Sequence, residues 1–216
     1  MEFEKLRNLM VDSQLVARGI KDERVLAAMR KVPRHLFVDE SFIDRAYEDH
    51  ALQIGEGQTI SQPYMVAAMT ELLELKGVEK VLELGTGSGY QSAVLAELAS
   101  KVYSIERIES LAIKARILLE SLGYKNIEIK IANGTYGYKE KSPFDGIIVT
   151  AGAPEIPETL VEQLVIGGKL VIPVGDRWSQ ILMKVTRTPE GTITQSITGC
   201  IFVPLLGDLG WKEEGY

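Results

Sequence analysis

The sequence predicts an α/β protein: a doubly wound, mainly parallel sheet with an antiparallel hairpin at one edge and a helical extension at the N-terminus. Three observations predict it. From residue 79 onward, apolar runs of strand length alternate with helical stretches of ten or more residues, the pattern of crossover units whose strands are buried on both faces. The first of these runs, Val81-Leu82-Glu83-Leu84, passes directly into a glycine-rich turn and then a helix. Finally, 216 residues with 45% hydrophobic and 25% charged content suffice for one substantial core with a small appended part, within the ordinary range of folded globular chains.

Taken in order, Phe3, Leu6, Leu9, Met10, Leu15 and Val16 recur at helical spacing, and Gly19 is a fitting terminator. Asp22 caps a second helix carrying Val25, Leu26, Met29 and Val32, which Pro33 ends. Between residues 34 and 60 no period is sustained and Gly55 and Gly57 intervene, so a long structured loop is expected. A helix begins near Pro63 and runs through Met65, Met69, Leu72 and Leu73 to Gly77. Strands follow at 81–84, 102–105, 127–131, 147–149 and 169–173, with helices at 92–100, through Leu111 to Leu119, and around 159–165. Two last runs, 181–186 and 192–203, joined through Pro189-Glu190-Gly191, predict the edge hairpin.

A net charge of −6 supplies no global basic field, which disfavours nucleic acid and anionic bilayers as partners. No apolar run approaches the length of a membrane span. The start Met1-Glu2-Phe3-Glu4-Lys5 is acidic where a signal peptide is basic, and the single Cys200 cannot form an internal disulfide. Both point to the cytoplasm. With only His35, His50 and Cys200 as soft ligands, no zinc-type spacing can be assembled and no metal is expected.

The strongest chemical signal is Glu83-Leu84-Gly85-Thr86-Gly87-Ser88-Gly89 at the strand-to-helix turn. Glycine lets the backbone bend sharply and lets a ligand approach where a Cβ would collide. A second acid, Glu106, closes the next strand 21 residues after Gly85, where a carboxylate can accept from both hydroxyls of a ribose. A dinucleotide fingerprint requires Gly or Ala where Tyr90 stands, and the carboxylate of Glu83 suits a cationic ligand better than a pyrophosphate. These residues favour S-adenosylmethionine as cofactor, on a Rossmann-like fold, over a nicotinamide oxidoreductase. The expected organisation is residues 1–77 as helical extension and substrate loop, and 78–216 as the S-adenosylmethionine-binding α/β domain, in one compact unit. On the bland reading the glycines only make a tight turn and Glu106 is a solvated strand end.

Gly57-Gln58-Thr59-Ile60-Ser61-Gln62-Pro63-Tyr64 resembles the substrate loop of the protein-L-isoaspartate O-methyltransferases. The segments from Val81 to Tyr90, from Phe144 to Pro154 and from Gly167 to Leu170 match that family in the same order. The resemblance runs from about Val32 to Gly207. It implies a class I methyltransferase core acting on the free carboxylate of L-isoaspartyl or D-aspartyl residues in damaged proteins and peptides. It places the catalytic serine at Ser61, with Tyr64 beside the substrate. It places the cofactor against Gln58, Thr59, Ile60, Glu83, Gly85, Thr86, Gly87, Gly89, Glu106 and Arg107. It also brings Asn133 and Gly134 to the cofactor, with Asn133 where the family usually carries aspartate, so that an amide oxygen accepts from the adenine amine in place of a carboxylate.

An acceptor carboxylate with a pKa near ~4 is ionised at neutral pH, so its methylation needs no general base. This agrees with a chain of two histidines and no Gly-x-Ser-x-Gly elbow. Ser61 would donate a hydrogen bond that orients the acceptor; its bland reading is an N-cap for the helix that Pro63 begins. Tyr64 reads equally well as a core aromatic. Trp178, Trp211 and Cys200 read as packing residues, residues 202–207 as a segment closing over the bound peptide, and the chain as a monomer. The rivals are a methyltransferase for a small molecule or RNA, and a non-catalytic adenosine sensor that kept the fold.

Overall fold

A computed structural model describes residues 2–212. Helix α1 (Glu2–Met10) continues through a π-helical turn (Val11–Leu15) and a 3-10 turn (Val16–Arg18) to Gly19, whose left-handed φ of 93° ends it. Helix α2 (Glu23–Lys31) is capped by Asp22, whose side chain accepts from the N–H groups of Arg24 and Val25. Over residues 34–60 the chain is more regular than the expected loop. Two 3-10 turns (Arg34–Leu36 and Glu40–Arg45) lead into an antiparallel hairpin of β1 (Leu52–Gly55) and β2 (Gln58–Ile60). Strands of four and three residues are too short to display a period of two. Helix α3 (Pro63–Leu72) then starts with Pro63 in its first turn.

The sheet-forming part comprises β3 (Lys80–Leu84), α4 (Tyr90–Ala96), β4 (Lys101–Glu106), α5 (Glu109–Ser121), β5 (Ile127–Ile131), β6 (Phe144–Val149), α6 (Glu158–Glu162), β7 (Leu164–Gly175), β8 (Gln180–Thr188) and β9 (Gly191–Cys200). The order across the seven-stranded sheet is β5-β4-β3-β6-β7-β8-β9. The first five strands of that order are parallel; β8 and β9 return antiparallel as the predicted edge hairpin. Helix α6 is shorter than expected and β7 longer. Leu164 already pairs with Phe144, residues 165–168 loop out with Gly167 at positive φ, and pairing resumes at Lys169.

One face of the sheet is buried by the N-terminal helices together with α3 and α4, in a cluster that joins Met10, Leu15 and Met29 to Leu95 and Ile148. The other is buried around Leu82, Phe144, Leu160 and Leu170. The N-terminal extension therefore shares its core with the sheet. Beyond β9 the chain crosses the carboxyl ends of the parallel strands, where Gly152 donates to Val203 O and accepts from Leu205 N, at 2.8 Å each. No helix among the described residues is long and apolar enough to cross a membrane.

Candidate active site

Strand order reverses between β3 and β6, and the carboxyl ends of these two strands open a crevice. Gly85 and Gly87 turn the backbone across it with φ of 98° and 53°. A Cβ on Gly85 would collide with Thr150 Oγ1, and one on Gly87 would press Ile54 Cδ1 at 3.3 Å, so the bend is shaped for glycine on both sides. Glu106, 5% exposed, is pinned at the end of β4: Oε2 accepts from Gly87 N and Oε1 from Ile108 N, each at 2.9 Å. Two backbone donors fix that carboxylate with its remaining lone pairs available at the crevice wall, so the solvated strand end is excluded. Gln58, Thr59, Arg107 and Gly134 line the same space, and Leu84, Ile105, Ile108, Leu205 and Leu206 give it apolar walls.

Glu83 lies beneath the bend with no exposed surface and lines none of this space. Its register partner on β4 is Ser104, and both Ser104 and Ser92 donate to its Oε2, the former at 2.6 Å. Ser104 is in turn 2.6 Å from Thr86 Oγ1, so a buried hydroxyl chain ties the acid to the bend. Oε1 has no partner among the described residues. Burial pushes the carboxyl up to about 8, against the two serine hydrogen bonds, and the neighbouring Glu106 adds to the rise.

A second, smaller space joins Thr59, Ile60 and Ser61 to Gly85, Thr86 and Gly87. A third opens beyond it between Ala51, Gln62 and Met65 on one side and residues 199–203 on the other. Among the described residues, none of the side chains lining the third space is charged. Thr59 and Thr150 border all three spaces, and Ser61 the second and third. Ser61 follows β2 and precedes the helix cap, which is Gln62, so the bland role of N-cap falls to its neighbour. Its hydroxyl makes no hydrogen bond to another described residue and is available to a ligand. Thr150 Oγ1 lies 3.0 Å from Leu84 O and 2.8 Å from Gly85 O, two acceptors that hold its proton and latch the bend onto β6.

Several predicted residues serve differently. Gly89 opens α4 in left-handed conformation, and a Cβ there would press Ala115 and Leu119 of α5 at 3.3 and 3.2 Å; it fits a close helix contact and lines none of the three spaces. Asn133 Oδ1 accepts from Thr135 N at 3.0 Å and Thr135 Oγ1 at 2.9 Å, capping a short turn under Gly207. Gly134 is the residue of that pair at the crevice wall. Tyr64 has the Arg18 guanidinium 3.5 Å above its ring and stands outside the third space. Trp178 is 84% exposed and does not pack; Cys200 is half-buried in the wall of the third space; Trp211 is half-buried and donates to Gly152 O at 3.1 Å. The segment 202–207, expected to close over a peptide, divides its work: Phe202 and Val203 border the third space, with residues 199–201 beside them, and 203–206 border the crevice. Sequence reasoning missed Thr150, Gln91 and Met65 as lining residues. Only the position of Thr150 just past a parallel strand could have signalled it.

A doubly wound parallel sheet with a glycine bend, a strand-end acid fixed for a ribose and a buried acid beneath the bend defines an S-adenosylmethionine-dependent methyltransferase. Residues 5–210 match the family model for protein-L-isoaspartate(D-aspartate) O-methyltransferase. The chain is 57% identical to the protein-L-isoaspartate O-methyltransferase of Geobacter metallireducens, over 99% of this chain and 100% of that one. It is 59% identical to that of Syntrophus aciditrophicus, over 97% and 98%. Among solved structures, a protein-L-isoaspartate O-methyltransferase superposes with a TM-score of 0.84 at 30% identity, covering 96% of this chain and 67% of that one. A Plasmodium falciparum protein of the same description, in complex with S-adenosyl-L-homocysteine, gives 0.78 at 28% identity over 91% and 96%. The chain belongs to the protein-L-isoaspartate(D-aspartate) O-methyltransferase family.

Proposed function

We propose that the protein methylates the free carboxylate of L-isoaspartyl, and D-aspartyl, residues in damaged proteins and peptides, with Ser61 holding the acceptor. The observation that carries this reading is that the donor crevice and the uncharged cavity share Thr59 and Thr150, with Ser61 lining both the cavity and the smaller space between them. The residues present fit S-adenosylmethionine: the glycine bend leaves a cradle that a Cβ would fill, Glu106 is oriented for vicinal hydroxyls, and Glu83 Oε1 is an orphaned buried acceptor suited to a cationic amine. Gln58, Thr59, Ile60, Thr86, Arg107 and Gly134 complete that binding surface, and Asn133 shapes it from behind.

When bound, S-adenosylmethionine supplies an electrophilic methyl group on a positively charged sulfur. The protein's own task is alignment and exclusion of water. Ser61 donates its hydroxyl to one oxygen of a carboxylate that is already ionised, leaving the other directed at the donor. With no described charged side chain lining the acceptor cavity, no arginine or lysine there quenches the nucleophile, and residues 199–203 border it on one side. Net charge −6 supplies no global basic field for a phosphate backbone, which supports a protein acceptor over nucleic acid. The test is methylation of an isoaspartyl peptide beside its normal aspartyl twin with labelled donor. Label in the isoaspartyl peptide alone is expected; equal labelling, or none, overturns the assignment.

A further inference from the structure

Ser61 stands in a short gap. On one side β2 is fixed by its ladder to β1, with Ile60 opposite Leu52; on the other α3 begins at Pro63. The first turn of α3 lacks a side-chain cap from Gln62. Its donor is met from outside: Asp49 Oδ1 accepts from Tyr64 N at 3.3 Å across fifteen residues of sequence. The other oxygen of the same carboxylate pairs with the Arg18 guanidinium, which also covers the Tyr64 ring at 3.5 Å. Because Asp49 lies just ahead of β1, its bond to Tyr64 closes residues 49–64 into a ring. The β1–β2 ladder braces that ring from within, and Ser61 and Gln62 are its only residues between ladder and helix.

The ring is anchored at its base. Arg34 is fully buried and donates through Nε to Ala46 O at 2.7 Å and through Nη2 to His50 O at 3.4 Å, the carbonyls that bracket Asp49. Its guanidinium lies 4.9 Å from the centre of the Tyr90 ring, in the core, and burial pulls it down to about 10. A buried cation held by carbonyls is costly to misplace, so these two bonds favour the observed placement of the segment carrying Asp49.

We propose that Asp49 is a positioning residue for methyl transfer: by closing the ring it sets where Ser61 presents its hydroxyl. The proposal rests on Ser61 being the acceptor-binding serine, and the experiment separates the two. Asp49→Ala removes the external cap, Asp49→Asn keeps an acceptor oxygen for Tyr64 N, and Asp49→Glu keeps the charge but moves the acceptor by a methylene. Asp22→Ala removes an ordinary cap of similar worth on α2, remote from the site.

With isoaspartyl peptide at a temperature where all variants are folded, D49A and D49E are expected to lose about tenfold or more in kcat, D49N to recover to within about threefold of the parent, and D22A to keep the parent rate. Affinity for S-adenosyl-L-homocysteine is expected to stay within about twofold throughout. Equal loss in D22A and D49A, or full kcat in D49E, overturns the proposal, and D49E alone decides if D49A does not fold. Ser61→Ala is run beside them: full turnover there sinks the serine assignment, whatever Asp49 does.

Discussion

The donor crevice is backbone made: two glycines at positive φ, the amides of Gly87 and Ile108 on one carboxylate, and strand ends in register. The acceptor cavity is assembled from side chains of segments far apart, 51–65, Thr150 and 199–203, with Ser61 suspended between a three-residue strand and a helix. The glycine bend and its acid, from Gly85 to Ile108, are set by local geometry, the acceptor cavity by tertiary closure. The difference teaches that the two should fail differently: changes on the acceptor side should cost turnover, and changes on the donor side should cost affinity.

The largest effect expected is on the acceptor side. Ser61→Ala should lower kcat by about 100-fold or more through lost alignment, with an unchanged melting temperature because Gln62, not Ser61, occupies the cap. Steady-state kinetics with thermal unfolding checks both halves. A fall in melting temperature with turnover retained would return Ser61 to a structural role.

Next, Glu106→Ala should weaken S-adenosyl-L-homocysteine by about tenfold to a hundredfold, the worth of charge-assisted hydrogen bonds at a desolvated site, measured by calorimetry. Unchanged affinity would remove Glu106 from the donor half.

A smaller effect separates the two acids. Folded Glu83 keeps its proton up to about 8, whereas the unfolded chain releases it near 4.5. Between those values folding takes up a proton, so this contribution to stability is complete below about pH 4.5 and declines as pH rises toward 8. Glu83→Gln should flatten that decline: its melting temperature should gain on the parent from pH 5 to pH 8, and parallel curves would show that Glu83 titrates normally. Binding of a cationic amine beside Glu83 should also expel the proton, visible at pH 7 as a calorimetric enthalpy that varies with the buffer's ionisation heat.

The smallest effect concerns Asn133. Because its oxygen caps Thr135 and Gly134 lines the crevice, Asn133→Asp should change cofactor affinity by less than about threefold, and stability by only a few tenths of a kcal/mol, since asparagine and aspartate cap alike. A large gain in affinity would show that the position does reach the adenine.

This contrast also explains what the sequence discloses. Alternating apolar runs and glycine turns gave the parallel sheet, its edge hairpin, and the placement of Gly85, Gly87 and Glu106, because each follows from spacing along the chain. The resemblance alone pointed to Ser61, and spacing left it indistinguishable from a cap. Asp49, Arg34 and Thr150 act through partners 12 to 66 residues away, and no local pattern encodes such meetings. Trp178 shows the reverse failure: composition suggests burial, but an Asx turn, with Asp176 Oδ1 accepting from Trp178 N at 2.7 Å, carries the ring out into solvent.

The most direct measurement is a crystal structure of the protein with S-adenosyl-L-homocysteine and an isoaspartyl peptide together. The expected result has the ribose hydroxyls on Glu106, and the acceptor carboxylate within hydrogen-bond reach of Ser61 Oγ, between residues 199–203 and Met65. A peptide carboxylate seated elsewhere, with Ser61 facing solvent, would contradict it.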